Sequence, residues 1–291
     1  MTSFSRATHK ISIAGDLGSG KSSVTKALAL ALHVQRSSTG DIQRKLAADM
    51  GMSTLELNTY ADTHPEIDQH IDNQLKLLES SSEPCVIDSR LAWHFVPSSF
   101  KVYLLVNPVI AATRISGDSS RQSERYQDIS EAQQKILERK LSENHRFMVT
   151  YGVDCTRLRN YDLVIDTSQI LPQDVVARIQ QERATWIPGQ PTQLWLSPQE
   201  LLPTKNTEDD GQLVGVIYSM GRFFIVHGHR RVAAALTAGE PSIHVQLIAQ
   251  DEERLPQGST ANEFATAQFH ADLIRLWEKR YNFTFKHIPL R

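Results

Sequence analysis

From Lys10 to about Glu182, short apolar runs alternate with longer segments in which apolar residues recur every three or four positions. This alternation predicts a parallel α/β sheet covered by helices. Strands are expected at Ile11–Ala14, Val34–Ser37, Cys85–Asp88, Lys101–Val106 and Leu163–Asp166. Three of them are β-branched-rich and nearly unbroken apolar runs, as strands buried on both faces are. Helices are expected at Ser22–Leu32, Gly40–Met50, Ser53–Thr63, Pro65–Glu79, Pro108–Ile115, Ser130–Tyr151 and Pro172–Arg183, and the polar stretch Ser116–Asp128 reads as a mobile loop.

The pattern changes at Thr185–Pro198, where two prolines and a glycine follow Trp186 and Ile187. A domain junction is expected there, dividing the chain into units 1–184 and 185–291. The second unit has an acidic loop at Glu208–Gly211, short strands at Val214–Tyr218 and Arg222–Val226, a helix at Arg230–Ala238 and a strand at Ile243–Ala249. A tail helix over Asn262–Tyr281 carries Phe264, Phe269, Leu273 and Trp277. Its apolar face is expected to close a core, with a second copy of the chain as the alternative partner.

Composition narrows the class. The chain has 291 residues, 40% of them hydrophobic and 22% charged, enough for one large core or two modest ones. A formal charge of -2 gives no general field for polyanions, which argues against nucleic acid as a partner. Two cysteines, Cys85 and Cys155, form no C-x-x-C pair. With no apolar leader in Met1–Lys10 and no run near the ~20 apolar residues of a membrane span, a soluble cytoplasmic protein is expected.

Chemistry enters at Gly15–Ser22, GDLGSGKS, which fits the phosphate-binding pattern G-x-x-x-x-G-K-[ST] between a predicted strand and a predicted helix. Gly15, Gly18 and Gly20 let the backbone of Gly15–Ser23, Ser19 included, wrap around phosphate oxygens, and the helix adds its positive dipole end. Lys21 is expected at the β/γ-phosphates of a nucleoside triphosphate and Ser22 in the shell of a Mg²⁺ ion, with Ser23 beside it; the loop alone does not separate ATPases, GTPases and small kinases. Asp88, at the end of a central strand, is a candidate to order that ion through water, or a strand-end turn residue.

The acceptor side is argued from arginines. Arg44 follows Ser38-Thr39-Gly40-Asp41, Arg90 follows Val86-Ile87-Asp88, and Arg139, Glu143 and Arg146 share one face of a long helix. Guanidiniums flanking a carboxylate can hold an anion with planar bidentate geometry. With Pro65-Glu66-Ile67-Asp68, Ser89-Arg90-Leu91-Ala92, Tyr151-Gly152-Val153-Asp154 and Tyr161–Ile165, these segments resemble the archaeal-type cytidylate kinases of the nucleoside monophosphate kinase group. The resemblance covers most of residues 10–182. It implies a P-loop NTPase sheet, transfer from ATP to CMP or dCMP, and acceptor contacts from Asp41, Arg44, Arg90, Arg139, Glu143 and Arg146. It also implies a catalytic lid carrying Arg114, Arg121 and Arg125 that acts with Lys21 and Arg139. Ser89 stands where the family usually has glycine, and Asp16 places a carboxylate in the phosphate loop.

In the second unit, Phe223–Ala235, preceded by Leu196–Thr204, is similar to the ParB/sulfiredoxin-like α+β fold. That likeness implies a second nucleotide or phosphate pocket lined by Gly228, His229, Arg230 and Arg231. Two rival functions stay open. A kinase of a small-molecule hydroxyl would need a base, for which Asp16, Asp41 and Asp88 are the candidates. A nucleotide-switched regulatory protein associated with DNA would hydrolyse or bind without an acceptor.

Overall fold

The computed structural model describes residues 9–61, 63–117, 126–206 and 213–285. Strands β1 (Lys10–Gly15), β2 (Gln35–Ser38), β3 (Cys85–Asp88), β4 (Phe100–Leu105) and β5 (Leu163–Asp166) are all parallel, in the order β2-β3-β1-β4-β5. They are covered by α1 (Lys21–Leu32), α2 (Thr39–Asp49), α3 (Thr54–Ala61), α4 (Pro65–Ser80), α5 (Ala92–Phe95), α6 (Pro108–Ser116), α7 (Ile129–Tyr151) and α8 (Pro172–Thr185). Every residue of β1, β3 and β5 is buried, which is why these strands read as mostly apolar runs. Asp128 caps the start of α7 through Glu131 N, and Gly152, at φ 69°, ends it.

The sheet continues through β6 (Gln193–Leu196), β7 (Leu201–Leu202), β8 (Val214–Ser219), β9 (Arg222–His227) and β10 (Ile243–Gln250). Strand β6 pairs parallel with β5, β10 antiparallel with β6, and the order runs on as β8-β9-β7. Helices α9 (His229–Ala238), α10 (Ala261–Gln268) and α11 (Ala271–Tyr281) pack on this part. The composition shift at Thr185–Pro198 therefore falls within one ten-stranded sheet. One apolar core spans the shift: Tyr103, Leu105, Leu158 and Tyr161 lie in the same buried cluster as Leu194, Val216 and Leu247.

Polar contacts reinforce that seam. The Asn107 Nδ2 donates to both carboxylate oxygens of Glu200 at 2.9 and 3.0 Å, and Gln250 Oε1 accepts from Leu158 N at 2.9 Å. The expected single tail helix is two helices. A capping box between Thr260 and Glu263 starts α10, and extended backbone at Phe269 and His270 separates it from α11. Trp277 of α11 is 1% exposed, so the tail closes the core of its own chain.

Candidate active site

The carboxyl ends of β1, β3 and β4 open on one side of the sheet, the usual place for a ligand in an α/β fold. Strand β1 runs into the phosphate loop there. A Cβ on Gly15 would come 2.6 Å from Leu104 O, and one on Gly18 (φ +79°) would come 2.8 Å from Ala111 Cα. The loop thus wraps closer to β4 and α6 than any side chain permits. Ser19 Oγ is buried and, among the described residues, has no hydrogen-bond partner. A glycine cradle with an orphan hydroxyl fits nucleotide phosphates. Ser22 and Ser23 are exposed in the first turn of α1.

Lys21 forms an ion pair with Asp88. Arg36, from β2, reaches the same carboxylate at 2.6 Å, Asp41 at 2.7 Å and Thr25 Oγ1 at 2.9 Å, and Arg44 closes the chain of charges on Asp41. Burial pulls the Lys21 pKa down and Asp88 opposes it, while the positive charges of Arg90 and Arg36 depress it further. Burial works against the charged Asp88 carboxylate as well, but Lys21 and Arg36 overcome it and hold its pKa below the ordinary value.

A second network faces the loop from α7. Arg90 pairs with Glu143, and Arg139 Nε donates to the same carboxylate at 3.0 Å. Burial, and after it the charge of Arg139, pushes the Arg90 pKa down to about 10, which leaves the guanidinium charged at neutral pH. Lys140 Nζ donates to Asp16 Oδ1 at 2.6 Å, and Tyr103 OH donates to the same oxygen at 2.9 Å. Asp16, Arg90, Tyr103, Lys140, Glu143 and Tyr161 line a cavity of about 40 Å³ between the loop and α7.

Residues 10–169 match the cytidylate kinase-like family. The chain belongs to that family. This cytidylate kinase-like chain is 34% identical over 174 residues to the cytidylate kinase of Thermoplasma volcanium, spanning 58% of the chain and 88% of the relative. Against the cytidylate kinase of Sulfolobus acidocaldarius the identity is 38% over 168 residues, with 57% and 89% covered. A stretch of 167 residues, 57% of the chain, is 35% identical to the S-adenosylmethionine-dependent nucleotide dehydratase of Lacinutrix mariniflava, but spans only 34% of that protein.

The site residues predicted from sequence divide into those brought together and those not. Lys21, Asp88, Asp41 and Arg44 are linked through Arg36, and Arg90, Arg139 and Glu143 through one carboxylate. Arg146 instead lies over the Phe147 ring, 5.6 Å from its centroid. The inward stripe of α7 runs through Ile136, Lys140, Glu143 and Phe147, one position round from the predicted Arg139–Glu143–Arg146 face. Arg114 sits in the last turn of α6, ahead of the predicted loop, and donates to Thr167 O at 2.8 Å and Gly18 O at 3.3 Å. It braces the phosphate loop through backbone carbonyls. Arg121 and Arg125 lie outside the described residues.

Asp88, proposed for Mg²⁺, has both oxygens in ion pairs, one to Lys21 and one to Arg36. Among the described residues, no group of three or more His, Cys, Asp or Glu side chains could hold a metal. In the second part, His229 does not line a surface pocket. Its imidazole is 0% exposed and its Nε2 accepts from Thr204 N at 3.3 Å, because α9 turns that side chain into the core. Arg231 is paired with Glu240 at 2.6 Å, a Cβ on Gly228 (φ +87°) would come 2.8 Å from Val214 Cα, and Arg230 borders a shallow groove beside Tyr281.

Sequence reasoning missed Arg36, Tyr103 and Lys140. Strand alternation puts Arg36 on the face of Ser38, whose register partner is Asp88, so its reach was readable once β2 and β3 were paired. Lys140 follows from the spacing of the buried Ile136 and Phe147, with Lys140 and Glu143 between them.

Proposed function

We propose that the chain transfers the γ-phosphoryl group of ATP to a nucleoside monophosphate, with CMP or dCMP as the acceptor. The observation that carries the reading is the meeting of two cationic networks across the phosphate loop, Lys21 with Arg36 and Arg44 on one side and Arg90 with Arg139 on the other. In a family member, that arrangement suits one polyphosphate and one further anion.

Lys21 exchanges Asp88 for phosphate oxygens when the nucleotide enters, and Asp88 keeps Arg36 as its counter-ion. Ser22, exposed at the first turn of α1, would hold a Mg²⁺ ion arriving with the nucleotide, which would supply neutralisation of phosphate charge. Arg90 and Arg139 grip the acceptor phosphate in place of Glu143, which is then freed to accept hydrogen bonds from the base or ribose. The small cavity means that α7 or these side chains move to admit a nucleoside. An acceptor phosphate is already a nucleophile, so positioning and charge stabilisation supply the catalysis.

A hydroxyl acceptor is the less favoured reading, since it needs a free carboxylate base. Asp16 is held by Lys140 and Tyr103, Asp41 by Arg36 and Arg44, and Asp88 by Arg36 even once Lys21 has turned to phosphate. A ParB-like nucleotide site in residues 185–291 draws its remaining support from Gly228 and Arg230. Screening CMP, dCMP and UMP against cytidine and neutral sugars with MgATP tests the proposal. Preference for a neutral acceptor would refute it.

A further inference from the structure

The second residue of the phosphate loop is an acid, in a loop whose sequence pattern is the one that cradles phosphate anions. Asp16 is 12% exposed at its side chain and its carboxylate is fully engaged: Oδ1 by Lys140 Nζ at 2.6 Å and Tyr103 OH at 2.9 Å, Oδ2 by Val106 N at 3.4 Å. Among the described residues Lys140 is the cation bonded to it, and it comes from α7, 124 residues along the chain. The other cations nearby are committed, Lys21 to Asp88 and Arg90 to Glu143. Tyr218 of β8, 8% exposed, lies near enough to Lys140 to act on its charge, so the distal part of the sheet borders the pair, whose Lys140 side chain is 31% exposed.

We propose that Lys140 is the charge shield of the phosphate loop: by neutralising Asp16 it lets a nucleoside triphosphate occupy a loop that carries its own carboxylate. The same bond ties the middle of α7, and with it Arg139 and Glu143, to the loop. Lys140 is thus a positioning residue that acts through Asp16. Burial disfavours the Lys140 ammonium, but Asp16 outweighs it and keeps the charge in place far above neutral pH. An unshielded carboxylate at the loop would repel a nucleotide in proportion to the nucleotide's charge, and the repulsion would fade with salt. At the effective dielectric of a partly buried site, this corresponds to roughly a ten- to thirtyfold loss of triphosphate affinity at low ionic strength.

The inference rests on Gly15–Ser22 being the triphosphate site, and the test separates the two. Titration calorimetry on the full chain would measure binding of MgATP, MgADP and adenosine at low and high salt for wild type, Lys140→Met, Asp16→Asn and the double variant. Lys140→Met is expected to lose affinity for ATP most, ADP less and adenosine least, with the loss shrinking at high salt. The double variant is expected to return to within about threefold of wild type, and Asp16→Asn alone to bind ATP at least as tightly as wild type. Equal losses across the three ligands, no salt dependence, or no recovery in the double variant would make Lys140 a packing residue and overturn the shield. Should Lys140→Met fail to fold, a tenfold loss of ATP affinity in Asp16→Asn would overturn it as well. Wild type that does not bind MgATP would instead refute the phosphate-loop reading beneath it.

Discussion

Alanine at Gly18 and alanine at Gly20 probe the phosphate loop from one backbone geometry and two different surroundings. Both glycines sit at φ +79°. A Cβ on Gly20 meets nothing within 4 Å, so Gly20→Ala carries only the left-handed strain of an L-residue, about 1–2 kcal/mol. A Cβ on Gly18 would lie 2.8 Å from Ala111 Cα and 2.9 Å from Ala111 Cβ and O. Ala111 is 1% exposed within α6, where helix backbone cannot give way as a side-chain tip can. The overlap adds roughly 1–3 kcal/mol. Gly18→Ala should therefore be less stable than Gly20→Ala by about that difference, or roughly 2–12 °C in melting midpoint for a chain of this size. Thermal and urea unfolding of the two variants side by side give the number directly. Equal midpoints, or a less stable Gly20→Ala, would mean that the loop does not press on α6 as described.

Further outcomes follow from the ion pairs and the seam. Because Lys21 and Arg36 hold the Asp88 pKa below the ordinary 3.8, the carboxylate's contribution is full above that value and is lost as pH falls through the lower folded-state value. The stability gap between wild type and Asp88→Asn should thus be constant from about pH 7 to 5 and shrink below about pH 4, and a gap that widens on acidification would contradict the pairing. Glu200→Ala removes two hydrogen bonds to the buried Asn107 that caps α6, and should cost about 1–3 kcal/mol with faster amide exchange in α6. Unchanged exchange there would show that Glu200 does not hold the helix. Ending the chain after Gln190 would strip β6 from β5 and uncover Leu105, Leu158 and Tyr161, so the fragment should aggregate or melt without cooperativity. A soluble fragment with a sharp transition would mean that the two parts do not share a core.

The parallel sheet of the first part was legible because buried parallel strands are continuous apolar runs: Cys85–Asp88 and Leu163–Asp166 fall on the predicted bounds. Strand β6 escaped because four residues, Gln193–Leu196, between Pro191 and Pro198 look like a linker; only pairing with β5 and β10 makes them a strand. The tail read as one helix since its apolar spacing nearly continues through the break at Phe269 and His270. At the site, the phosphate loop is a local pattern and was plain. The partners of its charges are not local: Asp16 finds Lys140 across 124 residues and Asp88 finds Arg36 across 52. Helical spacing alone also leaves the orientation of α7 open by one position, so it points to Arg146 and does not bring out Lys140.

The most direct test of phosphoryl transfer is product analysis by anion-exchange chromatography after incubating wild type and Lys21→Met with MgATP and CMP. Wild type is expected to give equimolar CDP and ADP, with the rate reduced by roughly 10²–10³ or more in Lys21→Met while the variant stays folded. Release of ADP and free phosphate with no CDP formed, or CDP formed at an undiminished rate without Lys21, would contradict it.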